Sequence, residues 1–321
     1  MLSRREWLSL TLATGAAAAF DRAWLSAQQP LMMRAVPATG ERLPIVGLGS
    51  SASFSQIARK EDVAAIGDVL KALVSGGGTV FDTAPGYGAS EEVAGRVAAS
   101  LNYTDKIFWA TKLNVAGGGG GGGRGSADPK AAGAQVEQSF ARLKKPKIDL
   151  IQVHNLGDVP TQLGILKELK QQGRIRYIGV TTTFDQQYSE IVDIMRREPL
   201  DFIGVDYAID ARQIEDTILP VAQERRIAVM VYQPFGRTRL WNRVGNQPVP
   251  DYAKEFDATT WAQFFIKFVA SHPAVTVVTP ATSQAKNMTD NLGGGRGRLP
   301  DAAMRKRMIA TIDALPAAAG K

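Results

Sequence analysis

Eight apolar runs of strand length recur at Leu43 to Leu48, Thr79 to Phe81, Ile107 to Ala110, Ile148 to Val153, Ile175 to Val180, Phe202 to Val205, Ile227 to Val231 and Val275 to Val278. Helical patterns alternate with them at Glu61 to Val74, Ser90 to Leu101, Pro129 to Leu143, Pro160 to Gln171, Phe184 to Arg196, Ile214 to Arg225 and Thr259 to Ala270. Strands without a clean polar face, each followed by a helix, form a parallel sheet covered on its surfaces. Eight of them predict a closed (β/α)8 TIM barrel. An open doubly wound sheet is the competitor, but it favours a glycine fingerprint at the first strand–helix turn. Gly47-Leu48-Gly49-Ser50-Ser51 is a poor one.

Before this pattern, Ser3-Arg4-Arg5-Glu6-Trp7-Leu8 leads into an apolar run from Leu8 to Ala19, broken by Phe20-Asp21-Arg22. The run falls short of the roughly 20 residues a membrane span needs. Paired arginines, a short apolar core and small residues beyond it resemble a twin-arginine export signal. Two parts follow: a signal peptide over residues 1–27 and a single barrel domain over 28–321. The expected location is periplasmic or otherwise exported from a bacterial cell, with the twin-arginine export machinery as a transient partner and no stable membrane anchor. The chain has no cysteine, in keeping with an oxidising compartment.

The formal charge is +7; Met1 to Ala27 carries three arginines and two acidic residues, so the remainder stays near +6. The basic residues are scattered. Their densest cluster, Arg142 to Lys147, sits where a helix C-terminus favours cations. Nothing resembles a nucleic-acid surface of interleaved basic and aromatic residues, whereas small anionic ligands suit the charge.

Chemistry gathers at the ends of three successive strands. Asp82 ends the second, Lys112 the third and His154 the fourth, while Tyr87 rides the loop Thr83-Ala84-Pro85-Gly86-Tyr87-Gly88. Ser90 is placed to cap the next helix ahead of Glu91 and Glu92. In a barrel all four groups reach the C-terminal face. Any one of them has an ordinary structural reading; the convergence is what points to a site. Carbonyl reduction needs this set. Negative charge builds on oxygen as a hydride reaches carbon, and an acid must deliver a proton. Tyr87 gives the proton, Lys112 lowers the phenol's pKa, Asp82 holds Lys112, and His154 orients the carbonyl oxygen. Run backwards, the set oxidises an alcohol. No metal is expected. His272, before Pro273, reads as a surface or capping residue.

Phe81-Asp82-Thr83-Ala84-Pro85-Gly86-Tyr87-Gly88-Ala89-Ser90-Glu91, Ala110-Thr111-Lys112, Asp149-Leu150-Ile151-Gln152-Val153-His154, Ile178-Gly179-Val180, Tyr232-Gln233-Pro234-Phe235-Gly236 and Pro280 through Asn291 together resemble the aldo/keto reductases, in order and along nearly the whole chain. The resemblance implies the barrel, a nicotinamide cofactor and the tetrad Asp82, Tyr87, Lys112 and His154. On the cofactor side it implies that Tyr232 stacks on the nicotinamide, and that Thr181 and Thr182 stand where the family usually grips the carboxamide with Ser-Asn. Gly204 replaces a common Gln. The late segment, with Thr282 near its start, keeps the length that holds the adenosine phosphate, and Asp290 and Asn291 meet the adenine. Ala281 and Asn287 stand where many members place Lys and Arg for the 2′-phosphate, with Lys286 as the substitute. NADP is the expected cofactor and NAD the alternative, acting on a small-molecule carbonyl or alcohol. A barrel that binds a nucleotide or ligand without turnover, as a sensor or accessory subunit, is the other reading. The altered cofactor positions favour it and the intact tetrad opposes it.

Two segments fall outside the repeat. The glycine run Gly117 to Gly123 reads as a mobile rim or a tolerated insertion, and Arg237 to Asp257 as a long connection bordering the substrate pocket. Trp241 and Trp109 are candidate lining residues, with core packing as the alternative.

Overall fold

The computed structural model describes residues 29–116 and 125–316. The export-signal region and the glycine run lie outside the described residues. Among the described residues there are ten strands: β1 (Met33–Ala35), β2 (Arg42–Pro44), β3 (Leu48–Gly49), β4 (Val80–Asp82), β5 (Phe108–Leu113), β6 (Ile148–Val153), β7 (Ile175–Thr182), β8 (Phe202–Asp206), β9 (Ala228–Tyr232) and β10 (Val275–Val278). β3 to β10 pair side by side in chain order, all parallel. Bridges Val46–Val278 and Gly49–Ala281 bring the first strand against the last. Gly49 is required there, because a Cβ would sit 2.6 Å from the carbonyl oxygen of Thr279. This is the (β/α)8 barrel.

The first apolar run does not form one strand. Its N-terminal part, β2, pairs antiparallel with β1 in a hairpin, and only Leu48–Gly49 joins the barrel. Helices fill the predicted gaps, with starts fixed by local chemistry. Asp62, Asp128, Asp158, Thr260 and Asp301 each accept a backbone N–H from the first helical turn that follows. Four helices go beyond the sequence expectation: Ser53–Arg59, Arg239–Val244, Ala285–Gly293 and Ala302–Asp313. Among the described residues, no helix is long and apolar enough to cross a membrane.

The strands' period of two decides what reaches the site. Val80, Phe108, Ala110, Leu150, Tyr177, Phe202, Ala228, Met230 and Val277 fill the barrel interior as one apolar cluster. Two residues further along the same inward rows come Asp82, Lys112, Gln152, Gly204, Tyr232 and Thr279, and four beyond Tyr177 comes Thr181. The interior is thus an apolar plug with a polar top layer. Residues one step out of phase face the helices. Trp109 is one: it is fully buried in the outer core and its indole N–H donates to the Thr104 carbonyl. It does not line the site.

Candidate active site

Lys112 makes three 2.8 Å bonds from its Nζ, to both oxygens of Asp82 and to the Thr83 carbonyl. Its side chain is completely buried and that of Asp82 is 4% exposed. Burial by itself depresses the amine; the charge and hydrogen bonds of Asp82, together with Tyr87, outweigh it and hold Lys112 above the ordinary lysine range. Burial pushes the Asp82 carboxyl upward, against the opposing pull of Lys112.

The Tyr87 ring centroid lies 5.1 Å from Lys112 Nζ. Because the short bonds of Lys112 go to Asp82 and Thr83, Tyr87 feels the ammonium mainly through its charge. That charge pulls the phenol's pKa down, yet burial is the larger effect and the net direction is upward. The expected lowering is therefore only a partial offset. His154 stands edge-on to Tyr87, with ring centroids 5.9 Å apart. Burial first, then the Lys112 charge, push its pKa down to about 3. The imidazole is neutral through the physiological range, able to donate from one nitrogen.

Tyr232 adds a group to this layer. Its hydroxyl lies 3.3 Å from Asp82 Oδ1 and 3.1 Å from Gln152 Oε1, and its ring passes 5.0 Å from Lys112 Nζ. Burial holds the phenol protonated, far above its usual pKa. Gly204 makes this possible: a Cβ there would lie 2.5 Å from both Cε2 and the hydroxyl of Tyr232. The glycine opens the space that the phenol occupies.

Above this layer lies a cleft of about 540 Å³, lined among others by Ser51, Asp82, Tyr87, His154, Thr181, Phe184, Tyr232, Trp241 and Ala281. Its walls come from loops after several strands, as the chemistry of a barrel's C-terminal face requires. The connection Arg237 to Asp257 borders it through Arg237, Thr238 and Trp241, and holds the helix Arg239–Val244 together with a 3-10 segment, Asp251–Phe256. Ser90 does not cap its helix. It is the first helical residue, and its hydroxyl instead donates to the Ser50 carbonyl at 3.1 Å, tying the Tyr87 loop to the end of β3. Glu91 tightens the same corner, accepting from Thr111 at 2.6 Å and Ser139 at 2.9 Å. Half-buried His272 caps a turn, its Nδ1 accepting from the Ala274 amide.

A model of the aldo/keto reductase family matches residues 45–310. The chain belongs to the aldo/keto reductase family. It is 30% identical over 212 residues to the aldo-keto reductase YhdN of Bacillus subtilis, an alignment covering 64% of this chain and 62% of that protein. Two solved structures share the fold. An aldo/keto reductase from Klebsiella pneumoniae in complex with NADP and acetate superposes with a TM-score of 0.68 at 23% identity, covering 87% of this chain and 94% of that one. The aldo-keto reductase AKR11C1 of Bacillus halodurans, in its holo form, gives 0.68 at 22%, covering 88% and 96%.

The cofactor positions expected for an aldo/keto reductase divide into two groups. Thr181 lines the cleft, its Oγ1 accepting the Asn155 amide at 3.2 Å. Tyr232, itself partly buried, lines it too. Thr182 is out of phase with the inward row; its hydroxyl engages Gln187 and the Phe184 amide, and Thr183 lines the cleft instead. In the late segment the cleft reaches Thr279, Pro280 and Ala281. Thr282 is buried and bonded to the Gln284 backbone. Lys286 and Asn287 are exposed on the first turn of the helix Ala285–Gly293. Asp290 accepts from Thr260 at 3.0 and 2.9 Å and from Gln263 at 2.7 Å, and Asn291 is buried. Gln152 was not among the residues expected at the site, although its place two residues after Leu150 on β6 puts it in the inward row.

Proposed function

We propose that this aldo/keto reductase is an NAD(P)H-dependent oxidoreductase that reduces an aldehyde or ketone to an alcohol, or runs the reverse reaction. The observation that carries this reading is the sealed Lys112–Asp82 pair beneath Tyr87, with His154 edge-on to it, at the base of an open cleft.

A planar nicotinamide suits the floor of the cleft. The ring of Tyr232 offers a flat face there, and Ser51 and Thr181 line the same cleft. Gln233 at the cleft wall adds an amide. At the far end Lys286 and Asn287 are free to meet phosphate, and NADP is the preferred cofactor, in line with the NADP complex of the Klebsiella protein. When bound, NAD(P)H supplies the hydride to the carbonyl carbon. Neutral His154 donates a hydrogen bond that orients the carbonyl oxygen. Tyr87 transfers its phenolic proton to that oxygen. Lys112, fixed by Asp82, stabilises the phenolate left behind. Tyr232 supports Asp82 from the other side and is part of the floor.

Titration of the protein from Gln28 onward with NADPH and NADH, read by nucleotide fluorescence, tests the cofactor; tight binding of NADPH is expected. Binding of neither nucleotide would leave a ligand-binding barrel.

We further propose that residues 1–27 are a twin-arginine signal peptide preceding the barrel domain at 28–321, and that the folded protein is exported with its nucleotide already bound. The Ser3-Arg4-Arg5-Glu6-Trp7-Leu8 motif supports this. Replacing Arg4 and Arg5 by Lys should hold the protein in the cytoplasm. Periplasmic protein purified without nucleotide would remove the preloading idea.

A further inference from the structure

Glu91 is a buried carboxylate with no part in the hydride and proton transfers. It stands four residues after Tyr87, in the first turn of the helix Ser90–Ser100, and is 1% exposed. A charge so placed is costly unless donors satisfy it. Three do, from two other elements. The Thr111 hydroxyl donates to Oε1 at 2.6 Å, and the Ser139 hydroxyl to the same oxygen at 2.9 Å. Arg142, in the last turn of its helix, donates from Nη1 to Oε2 at 3.3 Å. Ser139 and Arg142 belong to the helix Pro129–Leu143. The two helices pack so closely that a Cβ at Gly95 would collide with the Arg142 carbonyl oxygen.

These bonds lead to the reacting groups. Thr111 precedes Lys112 on β5, and the strand's period of two turns it to the helices while Lys112 faces the barrel interior. Beyond the same lysine, Gln135 of the helix Pro129–Leu143 grips the backbone of Asn114 in both directions. Its Oε1 accepts the amide at 2.7 Å and its Nε2 donates to the carbonyl at 3.2 Å. Tyr87 is joined to the carboxylate's own helix, since its carbonyl accepts the Ser90 amide at 3.3 Å. Glu91 thus ties the strand that carries Lys112 to the helix that holds the Tyr87 loop. The bond from Thr111 is the shortest of the three, in the range of a hydroxyl donating to a charged carboxylate.

We propose that Glu91 and Thr111 are positioning residues for carbonyl reduction: the bond between them sets the separation of Tyr87 from Lys112, while Ser139 and Arg142 anchor the carboxylate. This deepens the carbonyl-reduction reading and rests on it. The separation matters because burial raises the Tyr87 phenol and the Lys112 charge opposes it, an opposition that weakens with distance. Asp82, His154, Tyr232 and Arg237 also face the phenol, and every variant used in the test leaves them unchanged.

Removing Glu91 outright would orphan Arg142 and two buried hydroxyls, so single bonds are removed instead. Wild type, Thr111→Val, Thr111→Ser and Ser139→Ala are assayed with NADPH on benzaldehyde across pH, titrated with NADPH alone, and unfolded in urea. Thr111→Val and Ser139→Ala each delete one hydroxyl from the same carboxylate oxygen and should lower the urea midpoint alike. Thr111→Val alone should lower kcat, by about ten- to a hundredfold, the scale of a small misplacement of reacting groups, with KM and NADPH affinity near wild type. The alkaline fall of its kcat/KM for reduction should move to higher pH, because a phenol less opposed by Lys112 keeps its proton longer. Thr111→Ser should restore both. Equal kcat in Thr111→Val and Ser139→Ala, or an unmoved alkaline limb, makes the tie purely structural and overturns this inference, leaving carbonyl reduction standing. Loss of NADPH affinity in Thr111→Val assigns the tie to the nucleotide site and also overturns it. Wild type that binds NADPH yet reduces neither benzaldehyde nor a wider panel of aldehydes, ketones and sugars removes both readings.

Discussion

At the closed end of the barrel Arg176 sits among Glu41, Asp149 and Tyr177; at the open end Lys112 sits among Asp82, Tyr87 and Tyr232. The ingredients are the same: a cation, carboxylate and phenol. At the closed end the groups saturate one another. Arg176 reaches Asp149 at 2.7 Å and Glu41 at 2.5 Å, Tyr177 donates to Glu41 at 2.5 Å, and Thr39 lies 2.9 Å from the Tyr177 hydroxyl. Asp149 also accepts the Trp109 amide at 2.9 Å, stitching the cluster to β5. The Arg176 side chain remains 35% exposed, so water screens the cluster. At the open end the cation is sealed from water while Tyr87 and His154 face a cleft. A saturated cluster contributes to stability. A sealed charge beside a phenol that faces outward is poised for proton transfer.

The largest test of that contrast is Tyr87→Phe. It should cut kcat about a hundred- to ten-thousandfold, the range of a lost general acid, while fluorescence titration shows nucleotide binding nearly retained. Turnover within a few-fold of wild type would dismiss Tyr87 as the proton donor.

A paired experiment separates the two ends. Lys112→Met strands Asp82 in the interior and should cost about 3–5 kcal/mol in urea unfolding, along with activity. Arg176→Met, in a screened setting, should cost only about 1–2 kcal/mol and spare kcat. Equal losses of stability would erase the distinction.

Gly204→Ala probes the floor. The new Cβ must displace the Tyr232 ring, so nucleotide affinity should weaken about tenfold, within the overpacking range. Unaltered affinity would show that the seat of Tyr232 is immaterial to binding.

The smallest effect concerns pH. His154 has a folded-state pKa pushed to about 3, below its unfolded value of about 6.5. Between these values the unfolded chain binds the extra proton, so this group's contribution to stability falls as pH drops from about 6.5 toward 3. His154→Gln should flatten the decline of Tm across that acidic window. An identical Tm–pH slope in the variant would mean that His154 titrates normally.

Most of the barrel and the four central residues were legible in the chain, because both follow from short-range order. A strand's apolar run, the helix after it and the residue at its end lie within a few positions of one another. The same counting rule explains two residues that turn away from the cleft, Trp109 taking the core-packing alternative. Trp109 and Thr182 are each one residue out of phase with the inward row, so Trp109 faces the helices and Thr182 turns to Gln187. The split of Leu43 to Leu48 between a hairpin and the barrel was not legible, because an apolar run does not reveal its pairing partner. Nor was the bond from Ser90 to Ser50, since a serine before two glutamates reads as a helix cap.

The sequence by itself determined the repeating strand–helix order and the delivery of Asp82, Tyr87, Lys112 and His154 to one rim, since both arise from local periodicity and chain order. Only the tertiary structure decided that Asp290 is engaged by Thr260 and Gln263, that Gly204 makes room for Tyr232, and that Glu91 joins Thr111 to Ser139. Each depends on which side chains meet across loops distant in sequence. Closure of the barrel sets those meetings, and local propensity carries no record of them.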